Sequence, residues 1–191
     1  MDKLSLNHAR HAVFFDRDGI VNRSPGPGYV ERWEDFHLLP EFAEVLRIAT
    51  GLGFAAVVVS NQRGVARGRM SAATVDDMHR RLREQLRSQG GELLDILYCP
   101  HEQGTCDCRK PQPGMLLRAA SQYGLDLARS WMVGDAESDV EAGRRAGCRT
   151  IRVGGDGPSL ADHRARNMAD LAARLAAWLT APPPAVVSRT S

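Results

Sequence analysis

Phe14-Phe15-Asp16-Arg17-Asp18-Gly19 is the stretch whose reading decides the fold. The apolar run from Ala12 to Phe15 ends abruptly in a carboxylate, a guanidinium, a second carboxylate and a glycine. A short apolar run of this kind reads as a buried strand that stops at a charged site. In open α/β sheets, ligands collect at the carboxyl edge of the strands. Two carboxylates so close together are costly unless a cation joins them, and magnesium is the simplest such cation. An ordinary acidic turn after a strand is the alternative.

Working outward, strands and helices alternate. Glu41–Leu52 carries apolar residues at helical spacing (Phe42, Val45, Leu46, Ala49), and Phe54–Ser60 is a continuous β-branched run expected for a strand buried on both faces. Ser71 is a candidate N-cap for a helix with Val75, Met78, Leu82 and Leu86 on one face, stopped by Gly90. Leu93–Tyr98 predicts a third strand, Met115–Tyr123 a helix closed by Gly124, and Trp131–Val133 a fourth strand. Ser138–Ala146 predicts a helix ended by Gly147, Thr150–Val153 a fifth strand, and Asn167–Leu179 a last amphipathic helix. This alternation implies a three-layer, Rossmann-like α/β fold, a parallel sheet with helices on both faces. Right-handed crossovers then put every strand's carboxyl end on one edge. Asp16, Asp18, Ser60, Asn61, the segment Cys99–Lys110 and Asp135 all follow predicted strands, so they should meet on one rim. A single domain over residues 1–180 is expected, with no large cap domain and a frayed tail over 181–191. Two long inserts, Asn22–Pro40 and Cys99–Pro113, should border the rim and bind ligand.

The 191 residues are 43% hydrophobic and 25% charged, enough for a real core. Net charge is only +2, which argues against bulk capture of nucleic acid. No apolar stretch approaches the ~20 residues of a membrane span, and Met1–Arg10 lacks the apolar core of a signal peptide. A cytoplasmic monomer is expected. Three of the four cysteines, Cys99, Cys106 and Cys108, fall within ten residues, and in such a compartment clustering suggests metal rather than disulfides. With His101 they offer three sulfurs and one imidazole, a tetrahedral set that suits structural zinc. A loop with incidental free thiols is the alternative. Arg109 and Lys110 follow Cys108 directly, so closing the loop on a metal would aim both cations. Cys148, beside Gly147, reads as a small buried residue.

Asp16, Ser60, Lys110 and Asp135 together resemble the four-motif pattern of the haloacid dehalogenase superfamily, over roughly residues 11 to 155. The zinc loop and Asp16-Arg17-Asp18-Gly19 narrow the resemblance to the histidinol-phosphate and heptose-bisphosphate phosphatase branch. The stretches that carry it are Phe15 to Asn22, Gly28-Tyr29-Val30, Ser60 to Gly68, Cys108 to Pro111 and Pro113 to Leu116. The resemblance implies a magnesium-dependent phosphomonoesterase that removes the 7-phosphate of D-glycero-D-manno-heptose 1,7-bisphosphate. Histidinol phosphate or another small sugar phosphate is the alternative substrate, and a non-catalytic zinc-stabilised module the alternative class. Asp16 would be the nucleophile that forms an aspartyl-phosphate, and Asp18 the general acid and then the general base. Ser60 would hydrogen-bond a phosphoryl oxygen and Lys110 would supply positive charge to it. Asp16, the Asp18 carbonyl and Asp135 would hold Mg²⁺. Gly28, Tyr29, Ser60, Asn61, Gln62, Arg63, Arg109 and Lys110 would bind substrate, with Arg109 suited to the uncleaved phosphate. Asp139 is assigned either to the outer surroundings of the magnesium site or to the helix dipole.

Weaker features read as structural. His8, His11 and His37 are expected on the surface or at caps, His79 on a solvated helix face beside Arg80 and Arg81, and His163 in a polar connector. Glu137 is expected to face solvent. Trp33 and Phe36 either line the substrate loop or pack it down.

Overall fold

The computed structural model describes residues 10–182, so His8, nearly all of the N-terminal segment and the tail from 183 lie outside the described residues. Six parallel strands form one sheet in the order β3-β2-β1-β4-β5-β6. They are β1 (Ala12–Asp16), β2 (Ala55–Asn61), β3 (Asp95–Cys99), β4 (Trp131–Gly134), β5 (Arg149–Val153) and β6 (His163–Ala165). The helices are α1 (Phe42–Gly51), α2 (Ala72–Ser88), α3 (Gly114–Tyr123), α4 (Glu137–Ala146) and α5 (Met168–Thr180). Every predicted strand and helix is present, with ends shifted by a residue or two.

Strand β1 is central and wholly buried. Its side chains alternate faces. Val13 and Phe15 join the core built on α1, α2 and α5, whereas Ala12 and Phe14 join the core built on α3 and α4. Burial on both faces explains the unbroken apolar runs of β1 and β2. Ser71 caps α2 by accepting from the Thr74 amide at 3.0 Å. Gly124 and Gly147 end α3 and α4 in the left-handed region, as their sequence positions predicted.

Two expectations are corrected. The polar connector around His163 is a sixth, edge strand. Its imidazole lies between two indoles, 5.6 Å from Trp131 and 4.9 Å from Trp178, and aromatic stacking outweighs the polarity of its neighbours. His79 is buried rather than solvated: it falls on the Val75-Met78-Leu82 side of α2 and packs edge-on against Tyr98. Glu137 keeps a partly solvent-exposed side chain, as expected, and in addition accepts from Arg152 at 2.7 Å and from the Leu160 amide at 2.9 Å. Trp33 and Phe36 stack on one another at 5.1 Å and pack the β1–α1 loop down.

Candidate active site

The parallel sheet delivers its carboxyl ends to one rim. Asp16 ends β1, Ser60 and Asn61 end β2, Cys99 ends β3, and Asp135 follows β4. Carboxylate oxygens of Asp16, Asp135 and Asp139 lie within 4.8 Å of one another. Lys110 reaches into the same cluster: its Nζ donates to Asp16 Oδ1 at 2.5 Å and to the Val59 carbonyl at 3.0 Å, and sits 2.7 Å from Asp139 Oδ1. Asn61 fixes Lys110 from below, donating to its carbonyl and accepting from its amide, each at 3.0 Å. The loop 100–113 is thereby stitched to β2 at the residue whose ammonium enters the site.

Two glycines make the cluster possible. A Cβ on Gly19 would stand 2.0 Å from Asp135 Oδ2, and its φ of +99° already favours glycine. A Cβ on Gly134 would stand 2.3 Å from Asp139 Oδ2. Asp139 is almost wholly buried and accepts from the Ala136 amide at 3.0 Å, so it joins the α4 start to the ion cluster. This carboxylate pairs directly with the Lys110 ammonium. The helix-dipole assignment captured only part of its role.

Asp18 stands apart from the three clustered carboxylates. Its carboxylate accepts from Arg17, from Asn22 Nδ2 at 2.9 Å and from Gln62 Nε2 at 3.0 Å, and it lines a cleft of about 330 Å³. The sequence-derived metal role of Asp18 concerned its backbone carbonyl, so the side chain remains available to the cleft. Gly28, Tyr29, Asn61, Gln62, Arg63 and Arg109 line that same cleft. Ser60 does not open into it: it is wholly buried beneath Gln62, whose Nε2 donates to Ser60 Oγ at 2.6 Å. One terminal nitrogen of Arg109 is buried without a hydrogen-bond partner. The Arg63 guanidinium beside Tyr29 holds that phenol below its usual range.

The electrostatics call for a cation. Asp16, Asp18, Asp135 and Asp139 face Arg17 and Lys110, an excess of two negative charges that one divalent ion balances. Within the protein alone, burial pushes Asp16 up to about 8; Lys110 opposes this and Asp139 adds to it. Burial, followed by Asp139, pushes Asp135 up to about 6. Burial pulls on Lys110 in the opposite sense, yet Asp139 and Asp16 hold it above its ordinary value. A bound divalent cation reverses the sign for the carboxylates. Clustered oxygens without nitrogen or sulfur are the donor set of a hard ion such as Mg²⁺.

Cys99, His101, Cys106 and Cys108 form a second cluster on the β3 side of the rim. Cys99 Sγ is 3.5 Å from Cys106 Sγ, Cys106 Sγ is 3.3 Å from Cys108 Sγ, and His101 Nδ1 is 3.3 Å from Cys108 Sγ. A zinc tetrahedron with bonds near 2.3 Å to sulfur has sulfur–sulfur edges of about 3.8 Å, so the four side chains fit zinc with a small expansion. Glu102, inside this loop, pairs with Arg63 at 3.2 Å and Arg67 at 3.0 Å. Sequence reasoning missed that link, because nothing in the local pattern marks an acidic residue whose partners lie more than thirty positions away.

Comparison with known proteins agrees with this architecture. The HAD-hydrolase-like family model matches residues 107–178. D-glycero-beta-D-manno-heptose-1,7-bisphosphate 7-phosphatase of Pseudomonas aeruginosa is 39% identical over 146 residues, 76% of this chain and 82% of the relative. D-glycero-D-manno-heptose-1,7-bisphosphate 7-phosphatase of Thermosynechococcus vestitus is 40% identical over 156 residues, 75% of this chain and 79% of the relative. Among solved structures, the D,D-heptose 1,7-bisphosphate phosphatase of B. bronchiseptica, complexed with magnesium and phosphate, superposes with a TM-score of 0.77 at 31% identity, over 86% of this chain and 97% of that one. Sequence and fold thus agree, and the chain belongs to the heptose-1,7-bisphosphate 7-phosphatase family of the HAD-like hydrolases.

Proposed function

We propose that this chain removes the 7-phosphate of D-glycero-D-manno-heptose 1,7-bisphosphate through an aspartyl-phosphate on Asp16. The observation that carries this reading is the meeting of Asp16, Asp135, Asp139 and Lys110 beside a cleft bordered by Asp18, Arg63 and Arg109. A phosphate monoester dianion repels any anionic nucleophile, so neutralisation and positioning must carry the catalysis. Asp16, Asp135 and the Asp18 carbonyl would hold Mg²⁺, with Asp139 beside them. When bound, Mg²⁺ supplies charge to the transferring phosphoryl group and screens Asp16 from it.

Asp16 attacks phosphorus in line with the sugar oxygen. Lys110, held by Asn61, faces the transferring oxygens with its ammonium. Asp18 protonates the departing alkoxide, then takes a proton from the water that cleaves the aspartyl-phosphate and regenerates Asp16. Ser60 contributes a hydroxyl to the phosphoryl oxygens once substrate displaces Gln62 from it. The unpartnered Arg109 nitrogen suits the phosphate that stays on the sugar, because a guanidinium binds such a group bidentately. Gly28, Tyr29, Asn61, Gln62 and Arg63 would border the sugar. The Cys99, His101, Cys106 and Cys108 cluster would hold a structural zinc that keeps Arg109 and Lys110 aimed. A monomer is proposed, and no helix among the described residues is long and apolar enough to cross a membrane. We propose that it acts as a single domain in the cytoplasm on a small metabolite.

The test is phosphate release from the bisphosphate in the presence of Mg²⁺. Wild type should yield one equivalent of phosphate and the heptose 1-phosphate. Asp16→Asn should abolish turnover with zinc content and fold unchanged. Turnover near wild type in that variant overturns covalent catalysis through Asp16.

A further inference from the structure

Arg17 stands between the two aspartates, and it is wholly buried. A buried cation is tolerated only when paired and hydrogen-bonded. Its Nε and Nη2 donate to Asp18 at 3.3, 3.0 and 3.1 Å, a fork that sets the carboxylate in one orientation. The guanidinium carbon lies 5.6 Å from the centre of the Phe36 ring. One terminal nitrogen is left over, and it meets His79 Nε2 at 3.4 Å. A guanidinium only donates, so Nε2 accepts and the imidazole is neutral. His79 is 6% exposed and braced edge-on by Tyr98 of β3, 5.5 Å away between ring centres. No step of the proposed reaction uses it.

We propose that His79 is a positioning residue: it holds Arg17, and Arg17 aims Asp18 at the bond to be broken. The inference rests on the phosphatase reading above and adds a residue from α2, outside the rim. When Asp16 bonds to phosphorus, the P–O bond to the sugar breaks and the proton on Asp18 passes to the departing oxygen. Misplacing Asp18 therefore slows departure of a basic alkoxide. It leaves departure of a weakly basic phenolate, which needs no proton, nearly untouched.

The test measures kcat and KM of the full-length enzyme with Mg²⁺ on two substrates, the heptose bisphosphate and p-nitrophenyl phosphate. His79→Phe keeps a ring against Tyr98 and removes the acceptor; His79→Met serves if the Phe variant fails to fold. On the sugar phosphate, kcat should fall at least tenfold with KM within twofold. On p-nitrophenyl phosphate, kcat/KM should stay within twofold. His79→Gln, which restores an acceptor, should recover most of the sugar-phosphate rate. Equal losses of kcat/KM on both substrates, no loss on either, or no rescue by Gln would overturn the proposal. Failure of the phosphatase reading looks different, because wild type would then release phosphate from neither substrate.

Discussion

Asp139 lies 2.7 Å from the Lys110 ammonium, and each side chain is only 2% exposed. A buried lysine on a loop thus depends on a carboxylate at the start of α4 as well as on Asp16. Asp139 also accepts from the Ala136 amide, so one side chain joins the β4–α4 turn, the loop 100–113 and the carboxylate cluster.

Asp139→Asn keeps the size of the side chain and removes its charge. Lys110 still has Asp16, so the stability loss should be about 1–3 kcal/mol, below the figure for a fully orphaned buried charge. The half-saturating Mg²⁺ concentration should rise about 10–100-fold, as for other residues that support metal ligands. Activity measured across a magnesium titration, with a denaturant melt, checks both numbers. An unchanged magnesium response would show that Asp139 serves only the fold.

Stability should fall in acid through His79. Burial, followed by the Arg17 charge, pulls its pKa down to about 3, with Arg83 acting the same way and Asp18 against. Unfolding restores a value near 6.5, so between about pH 6.5 and 3 the unfolded chain takes up a proton that the folded one refuses. The neutral ring's contribution is complete above pH 6.5 and shrinks as pH drops. By pH 5.5 the loss is about 1.4 kcal/mol for this one group. The difference in unfolding free energy between wild type and His79→Gln, followed from pH 7.5 to 5, should show that slope. A difference independent of pH would mean that the ring is protonated in the fold.

Zinc removal should act on stability, on turnover and on binding together, since the loop that zinc would close carries Lys110 as well as Glu102 and Arg109. The loop between β3 and α3 contains no helix or strand, and it carries Glu102, Arg109 and Lys110. Structural zinc contributes folding free energy directly. Chelation should lower the melting temperature by roughly 2–4 °C for each kcal/mol lost in a chain of this length. It should also raise KM severalfold, because Glu102 no longer braces Arg63 and Arg67. Calorimetry and steady-state kinetics on the chelated and reconstituted protein measure both. Identical melting curves with and without zinc would contradict the structural role.

Much of the fold is legible because burial on both faces leaves a strong mark. Ala12–Phe15 and Phe54–Ser60 are apolar throughout, and a strand with helices above and below has few other compositions open to it. The rim follows from strand direction alone, which is why residues more than a hundred positions apart could be placed together. Strand β6 escaped because it has three residues, lies at the sheet edge and begins with a histidine whose apolar partners, Trp131 and Trp178, are remote in sequence. His79 did leave a signal: positions 75, 78, 79, 82 and 86 share one face of a 3.6-residue helix. The flanking Arg80 and Arg81 drew the reading toward solvent. Ser60 lies at the rim as expected, but only coordinates show Gln62 lying over it. Side-chain layering of that kind depends on rotamers that no periodicity encodes.

Gly19 leaves the room that Asp135 occupies, and the two belong to turns after different strands. Neither turn can be redesigned alone. Any substitution that lengthens position 19 evicts a carboxylate more than a hundred residues downstream, and any reshaping of the later turn must respect a hollow defined by the earlier one. Libraries aimed at new phosphate esters should therefore leave this pair untouched and vary the Pro25–Val30 wall of the cleft, where side chains border open space.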